Sequence, residues 1–89
     1  MNKLEILNLD DAEIKRKGIR SWPVWDKEVS RFPHKYEEDE HCLFLEGEVV
    51  IESEGNKVTL HKGDYVIFRN GLKCIWDIRK RVRKHYHFE

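Results

Sequence analysis

Apolar and polar residues alternate in short stretches along most of this chain, which is the pattern of β-strands with one buried face. The alternation is clearest over residues 57–61, 72–79 and 82–88. In the middle stretch the even-numbered residues from Leu72 to Ile78 are apolar, which places them on one face of a strand. Turns that contain glycine separate such stretches about every 8–12 residues, and this spacing predicts an all-β sandwich or barrel.

The other strands and turns follow from the same signals. Apolar-rich segments predict strands at 3–9, 42–45, 49–51 and 65–68, and residues 26–32 are interpreted as a further strand. Glycine, asparagine and charged residues between the strands predict turns at 46–48, 53–56, 62–64 and 69–71. In the turn at 53–56, Gly55 and Asn56 are the residues expected to take a positive φ.

A short helix is predicted near the N-terminus. Asp10 and Glu13 have the spacing of a capping box, in which each side chain accepts from the backbone N–H of the other residue. Basic residues follow at 15–17, and Gly18 supplies a C-terminal cap. These signals predict about two turns of helix over residues 11–17, which must pack on the rest of the molecule because so short a helix is unstable alone.

The segment 42–51 is apolar at both odd and even positions. A strand of this kind is covered on both faces. One face can be the interior of a barrel, and the other requires either the N-terminal segment or a partner subunit. A chain of 89 residues also buries a modest share of its surface, roughly 60–65%. Both observations predict a homodimer.

Charge is balanced overall but uneven along the chain. There are 17 basic and 17 acidic residues, and residues 69–89 contain seven of the basic ones and two of the acidic ones. The run 79–84 holds five basic residues, and such a run can contact phosphates. It lacks the aromatic platform of single-strand binders. The favoured interpretation is therefore a solvated strand pair, and nucleic-acid binding ranks last among the functions considered.

Membrane insertion, secretion and disulfide bonding are not indicated. No run of about 18 apolar residues is present, and residues 1–5 do not resemble the apolar core of a signal peptide. Cys42 and Cys74 are too few for a disulfide framework. We therefore expect a cytoplasmic protein whose cysteines are thiols.

Two glycine-containing segments carry a family resemblance. The family's first motif is His-x-His, three or four residues, Glu, six residues and Gly, and its second motif is Gly, five residues, Pro-x-Gly, two residues and His. Five positions fit these patterns: His34, Glu40, Gly47, Gly63 and Gly71. Three positions depart from them: Tyr36, Arg69 and Cys74. The chain thus resembles the cupin superfamily, and this resemblance implies a small β-barrel of jelly-roll type.

The resemblance also implies how the chain is organised. One cupin domain would occupy residues 1–89, with an N-terminal strand and short helix in 1–21 and the barrel in 22–89. Within the superfamily, the chain is similar to the cupin domain of ureidoglycine aminohydrolase. The residues that carry this closer similarity are Trp22, Leu45–Val49, Gly63–Asp64, Trp76 and Val82–Tyr86.

The same resemblance implies a site inside the barrel. Cupins that bind metal hold it between facing strands, and the matching positions here are His34, Tyr36, Glu40 and Cys74. A site of this composition favours a divalent transition metal: zinc, iron, nickel or manganese. The alternative is a metal-free polar pocket whose walls include Phe68, Trp76 and a tryptophan from residues 22–25. His85 and His87 form a further His-x-His pair outside both motifs.

Two classes of function follow from this reading. The preferred one is a cupin that binds a small polar molecule in a pocket formed by His34, Tyr36, Glu40, Phe68, Cys74 and Trp76. The alternative is a metal-dependent enzyme that acts on a small nitrogenous compound, as the aminohydrolase resemblance implies. Burying an unpaired carboxylate or imidazole is costly, so polar residues at inward positions favour an interior that is used. Catalytic and non-catalytic functions both remain open at this point.

Overall fold

The computed structural model describes all residues from 1 to 89. Seven strands form one antiparallel sheet, with a short α-helix and a 3₁₀-helix near the N-terminus. In chain order the elements are β1 (Leu4–Leu7), α1 (Asp11–Lys17), the 3₁₀-helix (Ile19–Ser21), β2 (Val24–Lys27), β3 (Ser30–Lys35), β4 (Glu40–Ser53), β5 (Asn56–His61), β6 (Tyr65–Phe68) and β7 (Lys73–Phe88). The predicted all-β fold with one short helix is confirmed.

Two long strands, β4 and β7, form the centre of the sheet, with 14 and 16 residues. The strand order along the sheet is β1-β6-β4-β7-β2. Strand β4 pairs with β6 at its start and with β5 at its end, while β7 pairs first with β3 and then with β2. Because each long strand changes its outer partner along its length, the sheet wraps around an interior, and the inward residues of β4 and β7 line it.

The turn predicted at 46–48 is wrong, because β4 continues through it without reversing. Gly47 has a φ of 100° and lies where the pairing of β4 with β7 shifts register, which makes it part of a β-bulge. A Cβ at this position would lie 2.3 Å from the backbone carbonyl oxygen of Arg81. The glycine therefore permits a close approach of two strands and does not reverse the chain.

Three other boundaries also differ from the sequence prediction. Strand β7 is continuous where the sequence predicts two separate strands, 72–79 and 82–88. The strand predicted at 26–32 is two strands, β2 and β3. In the hairpin at 53–56, positive φ falls on Glu54 (51°) and Gly55 (80°), one residue earlier than predicted. In each case the pairing with a neighbouring strand sets a boundary that the local pattern leaves undefined.

Helix α1 begins and ends as predicted. Oδ1 of Asp10 accepts from the N–H of Glu13 at 2.8 Å, and Oε1 of Glu13 accepts from the N–H of Asp10 at 3.4 Å. Gly18 ends the helix in the left-handed region with a φ of 67°. This seven-residue helix is far too short to reach across a bilayer.

Buried apolar residues form two clusters on opposite faces of β4. The inner cluster has 14 buried members, which include Phe44, Phe68 and Trp76. The outer cluster has five buried members: Ile14, Ile19, Leu43, Tyr65 and Ile67. Helix α1 and the 3₁₀-helix thus cover the outer face of β4. Of the two covers that the sequence allows for this strand, the N-terminal segment is the one observed.

Candidate functional site

A pocket with a volume of about 230 Å³ lies on the inner face of the sheet. Its nine lining residues are Trp25, Phe32, His34, Tyr36, Glu40, Trp76, Lys84, Tyr86 and Phe88. Strand β7 supplies four of them, all even-numbered, because alternate side chains of a strand share one face. Six of the nine are aromatic. The sheet itself therefore builds a pocket with aromatic walls and a few polar groups, which is the usual composition of a small-molecule site.

A buried ion pair provides the main polarity of this pocket. Nζ of Lys84 lies 3.2 Å from Oε2 of Glu40, and the two side chains are only 5% and 8% exposed. The same Nζ lies 3.2 Å from Sγ of Cys42. Buried charges of this kind are tolerated only when they are paired, so each charge depends on the other.

Aromatic rings surround the Lys84 ammonium. Its Nζ lies 4.8 Å from the ring centroid of Trp76, 5.1 Å from that of Trp25 and 5.6 Å from that of Phe68. The faces of aromatic rings attract a cation, most strongly when water is excluded. The rings and Glu40 together hold a positive charge inside the sheet, beside one of the residues that the family resemblance implies as a metal ligand.

Tyr36 is held by its neighbours on two sides. Its ring stacks on Phe68 with centroids 4.8 Å apart and an interplanar angle of 3°. Its hydroxyl oxygen accepts from Nε1 of Trp76 at 3.3 Å. Burial, followed by the charge of Glu40, raises the pKa of the Tyr36 phenol well above its ordinary value. His34 packs edge-on against Tyr36 at 4.3 Å and is exposed, so it lies at the rim.

The structure brings together part of the predicted pocket. Four of its six residues line the observed one: His34, Tyr36, Glu40 and Trp76. Phe68 is fully buried and lies behind Tyr36. Cys74 is buried on β7 opposite His34 but does not line the pocket. The tryptophan expected from residues 22–25 is Trp25.

The four predicted metal ligands do not fit a metal ion. No group of three or more His, Cys, Asp or Glu side chains in the structure is arranged to hold one. Glu40 is already paired with the Lys84 ammonium, whose charge opposes a second cation. Burial raises the pKa of Cys74 to about 11 and also raises that of Tyr36, so a metal would have to displace a tightly held proton from either group. The donor set therefore does not suit the divalent transition metal that the resemblance implies.

Four lining residues are absent from the predicted set: Phe32, Lys84, Tyr86 and Phe88. A signal for three of them exists, because the alternation over 82–88 places its even-numbered residues on one face. The sequence analysis treats 72–79 and 82–88 as separate strands. It therefore does not show that their even-numbered residues lie on the same inward face. For Lys84, the surrounding basic run 79–84 indicates a solvated surface and not a buried position.

The basic run is largely neutralised by acidic residues. Three of its arginines each contact a carboxylate: Arg79 with Asp77 at 2.7 Å, Arg81 with Asp26 at 3.2 Å, and Arg83 with Glu46 at 3.8 Å. A fourth basic residue, Lys84, is buried. The run thus offers little free positive charge to phosphates, which agrees with its interpretation as a solvated strand.

The second histidine pair lies on the outer face and contributes to packing. Nδ1 of His85 lies 2.9 Å from the carbonyl oxygen of Trp22, and the ring of His87 stacks on the Trp22 ring at 5.1 Å. Nearby, Nδ1 of His41 lies 2.6 Å from the hydroxyl oxygen of Tyr65. The contacts with Trp22 attach the N-terminal segment to the sheet, and the contact of His41 joins β4 to β6. None of them forms part of a group that could hold a metal ion.

Comparisons with known proteins extend these observations. Residues 14–86 match the family described as the EutQ-like cupin domain. A DUF861 family protein from Thermotoga maritima is 39% identical and has a TM-score of 0.94, over 97% of this chain and 99% of that one. No curated protein matches the chain.

Two further solved structures are similar at lower identity. A putative ethanolamine utilization protein Q from Salmonella typhimurium LT2 is 22% identical with a TM-score of 0.68, over 96% of this chain and 68% of that one. The EutQ protein of Clostridium difficile is 18% identical with a TM-score of 0.69, over 96% of this chain and 66% of that one. At these identities the two structures support the fold alone.

Proposed function

The chain belongs to the family of EutQ-like cupin domains, and on this premise we propose that it binds a small, uncharged polar molecule in the pocket of its inner face. The observation that carries the proposal is the buried pair of Glu40 and Lys84 beside aromatic walls. In most small-molecule sites, aromatic walls supply apolar contact area and a few fixed polar groups orient the ligand.

The charges of the pocket favour a ligand without net charge. Glu40 and Lys84 neutralise each other, so neither an anion nor a cation finds an unpaired opposite charge. Lys84 contacts one carboxylate oxygen of Glu40, which leaves the other oxygen to accept from a ligand. An ammonium has three N–H donors, and two of them serve Glu40 and Cys42, so one remains for a ligand oxygen. The matching ligand presents an acceptor beside a donor.

Amides and ureides have this arrangement of groups. The carbonyl oxygen of either can accept from Lys84 while its N–H donates to Glu40. Ureides are also the class of compound that the similarity to ureidoglycine aminohydrolase implies. Because the donor set of the pocket does not suit a metal, we propose binding of such a compound and not its metal-dependent hydrolysis.

The walls and the size of the pocket restrict the rest of the ligand. The rings of Trp25, Phe32 and Trp76 offer apolar faces. The volume of about 230 Å³ lies below the roughly 300–1,000 Å³ of pockets that take drug-sized ligands. We therefore expect a ligand with a flat or short apolar body, about the size of a single substituted ring.

Titration followed by tryptophan fluorescence tests this proposal, because Trp25 and Trp76 line the pocket. We expect benzamide and phenylurea to bind, and benzoate and benzylamine, which are similar in size but charged, to bind about tenfold more weakly. Glu40→Gln should weaken benzamide binding about tenfold, because it removes a charged acceptor. Glu46→Gln, at an exposed position of the same strand, should leave binding unchanged. Equal affinity for all of these compounds, or no effect of Glu40→Gln, would contradict the proposal.

We also propose that the protein forms a homodimer, on a different basis from the sequence argument. Strand β1 is at one end of the sheet and pairs only with β6. Its residues Ile6 and Leu7 are 40% and 44% exposed. An edge strand with exposed apolar side chains is a ready surface for pairing with another chain. Light scattering at micromolar concentration should return twice the chain mass of 10.8 kDa, and a single species of chain mass would contradict the dimer.

A cytoplasmic location is the last part of the proposal. Cys42 and Cys74 are both free in the structure. Free thiols are usual in a reducing compartment, whereas secreted proteins usually oxidise theirs. Cell fractionation tests the location, and recovery of the protein outside the cytoplasmic fraction would contradict it.

A further inference from the structure

Lys84 differs from every other lysine of the chain. Nine of the ten lysines are exposed, and Lys84 alone is buried. It lines the pocket, so a molecule bound there meets an amine that bulk solvent barely reaches. We propose that Lys84 captures small aldehydes as a covalent imine. The inference rests on the proposed function because it uses the same pocket, and it adds a second class of ligand, aldehydes that react with an amine.

Glu40 is placed to move the protons of this reaction. Its Oε2 takes a proton from the Lys84 ammonium across their 3.2 Å contact, which leaves a neutral amine. The amine nitrogen adds to the aldehyde carbon, the carbonyl double bond becomes a C–O single bond, and one amine proton passes to that oxygen. The resulting carbinolamine loses its hydroxyl group as water, with the proton that Glu40 holds. A C=N bond remains, with the positive charge on nitrogen, and no oxidant or reductant is consumed.

The surroundings that stabilise the ammonium also stabilise this product. A protonated imine keeps the positive charge on the same nitrogen, so the carboxylate of Glu40 and the rings of Trp25 and Trp76 interact favourably with both forms. The neutral amine is therefore a transient that exists only while Glu40 holds the proton, and the iminium restores the charge on the same nitrogen.

Cys42 does not compete with Lys84 for the aldehyde. Burial raises the pKa of the Cys42 thiol to about 12, and the nearby Lys84 ammonium only partly offsets this. The thiolate is the reactive form of cysteine, so the thiol is a poor nucleophile at neutral pH. Its Sγ, 3.2 Å from Nζ, instead helps to hold the lysine in place.

Reductive trapping of the native protein tests the inference. The protein is incubated with benzaldehyde and sodium cyanoborohydride at neutral pH, and benzylated lysines are located by peptide mass spectrometry. We expect Lys84 to carry about tenfold more early label than the mean of the nine exposed lysines, because the pocket raises the local concentration of aldehyde. The excess should disappear in guanidinium chloride. Label confined to exposed lysines, with Lys84 unmodified, would overturn the proposal.

Two variants distinguish proton transfer by Glu40 from mere access of the aldehyde to Lys84. Glu40→Gln keeps the lysine but removes the proton acceptor, so labelling of Lys84 should slow at least about tenfold. Labelling of Lys80, an exposed lysine on the same strand, should not change. Glu46→Gln is the matched control and should affect neither lysine. If Glu40→Gln does not fold, the distribution of label among the lysines of the native protein still tests aldehyde capture, because that experiment requires no variant.

Benzamide distinguishes failure of this inference from failure of the proposed function. Benzamide should protect Lys84 from benzaldehyde when both compounds use the pocket. If benzamide binds but Lys84 takes no label, aldehyde capture is wrong and the binding function stands. If benzamide does not bind but Lys84 is labelled selectively, aldehyde capture stands and the amide class is wrong.

Discussion

The two faces of β4 are buried in different ways. On the outer face, Leu43 packs with Ile14 and Ile19 in an apolar cluster beneath the N-terminal helices. On the inner face, Glu40 and Cys42 contact the ammonium of Lys84. Neighbouring residues of one strand thus belong to an apolar cluster on one face and to a buried ion pair on the other.

The outer face contributes stability by the ordinary route of apolar burial. The inner pair is weak evidence for stability, because apolar residues of similar volume often replace a buried ion pair without loss. A face that only had to stabilise the sheet could therefore be apolar throughout. The contrast supports the view that the polarity of the inner face is used for binding.

The largest expected effect comes from breaking the pair on one side only. Lys84→Met leaves the Glu40 carboxylate buried without a partner, which should lower the free energy of unfolding by about 3–5 kcal/mol. Adding Glu40→Leu to the same chain should restore most of the loss, because no unpaired charge then remains. Denaturant unfolding of the single and double variants measures both values. A loss below about 1 kcal/mol for Lys84→Met would show that water reaches Glu40, and the contrast between the faces would be weaker.

On the outer face, a substitution should lower stability without changing binding. Ile19 is 0% exposed in the outer cluster, and Ile19→Ala should cost about 2–4 kcal/mol through lost burial and a cavity. Val29→Ala, at an exposed position between β2 and β3, should cost less than about 0.5 kcal/mol and serves as the control. Benzamide affinity should be the same in both variants. Loss of benzamide binding in Ile19→Ala alone would mean that packing in the outer cluster determines the shape of the pocket.

Local signals were sufficient for the parts of the fold that local forces decide. Helix α1 follows from a capping box and a terminal glycine, and the inward face of 72–79 follows from strict alternation. Gly47 shows where such reasoning stops. A glycine between apolar segments indicates a turn, but here it serves a bulge, and only the backbone of Arg81 on the neighbouring strand explains it.

The site was less predictable than the fold for a related reason. Motif positions located His34, Tyr36 and Glu40, which line the pocket. Lys84 was not predicted, because a lysine in a basic run is ordinarily solvated. What keeps it inside is Glu40, 44 residues earlier in the chain, together with rings from two other strands. Partners so distant in sequence leave no local pattern.

Alkaline pH should destabilise the inner face through its two buried thiols. Burial raises the pKa of Cys42 to about 12 and that of Cys74 to about 11, from an ordinary value of 9.0. As pH rises, the unfolded chain loses these protons first, so stability is full below about pH 9 and falls as pH rises towards 12. Melting temperature measured across this range should decline, and Cys74→Ala should make the decline shallower. A melting temperature that is constant to pH 11 would show that the thiols are solvated.

The smallest effect is expected at Asp39, beside the pocket residue Glu40 but outside the buried pair. Its carboxylate accepts from the backbone N–H of Asn70 at 2.8 Å and from Arg69 at 2.9 Å. These hydrogen bonds, foremost the one from Asn70, lower the pKa of Asp39 from 3.8. As pH falls, the unfolded chain takes up the proton first, so the stabilisation is present above pH 3.8 and is lost below it.

Asp39→Asn should therefore lower the melting temperature slightly near pH 7, and this difference should shrink as the pH falls below 3.8 and Asp39 of the folded protein takes up its proton. The effect should shrink in high salt, since the groups involved are near the surface. Glu38→Gln, at the preceding exposed position, is the control and should change nothing. A loss as large as that of Lys84→Met would mean that the turn at 69–71 holds Glu40 in position. The buried pair would then depend on the rim of the pocket, and the contrast between the two faces of β4 would lose its basis.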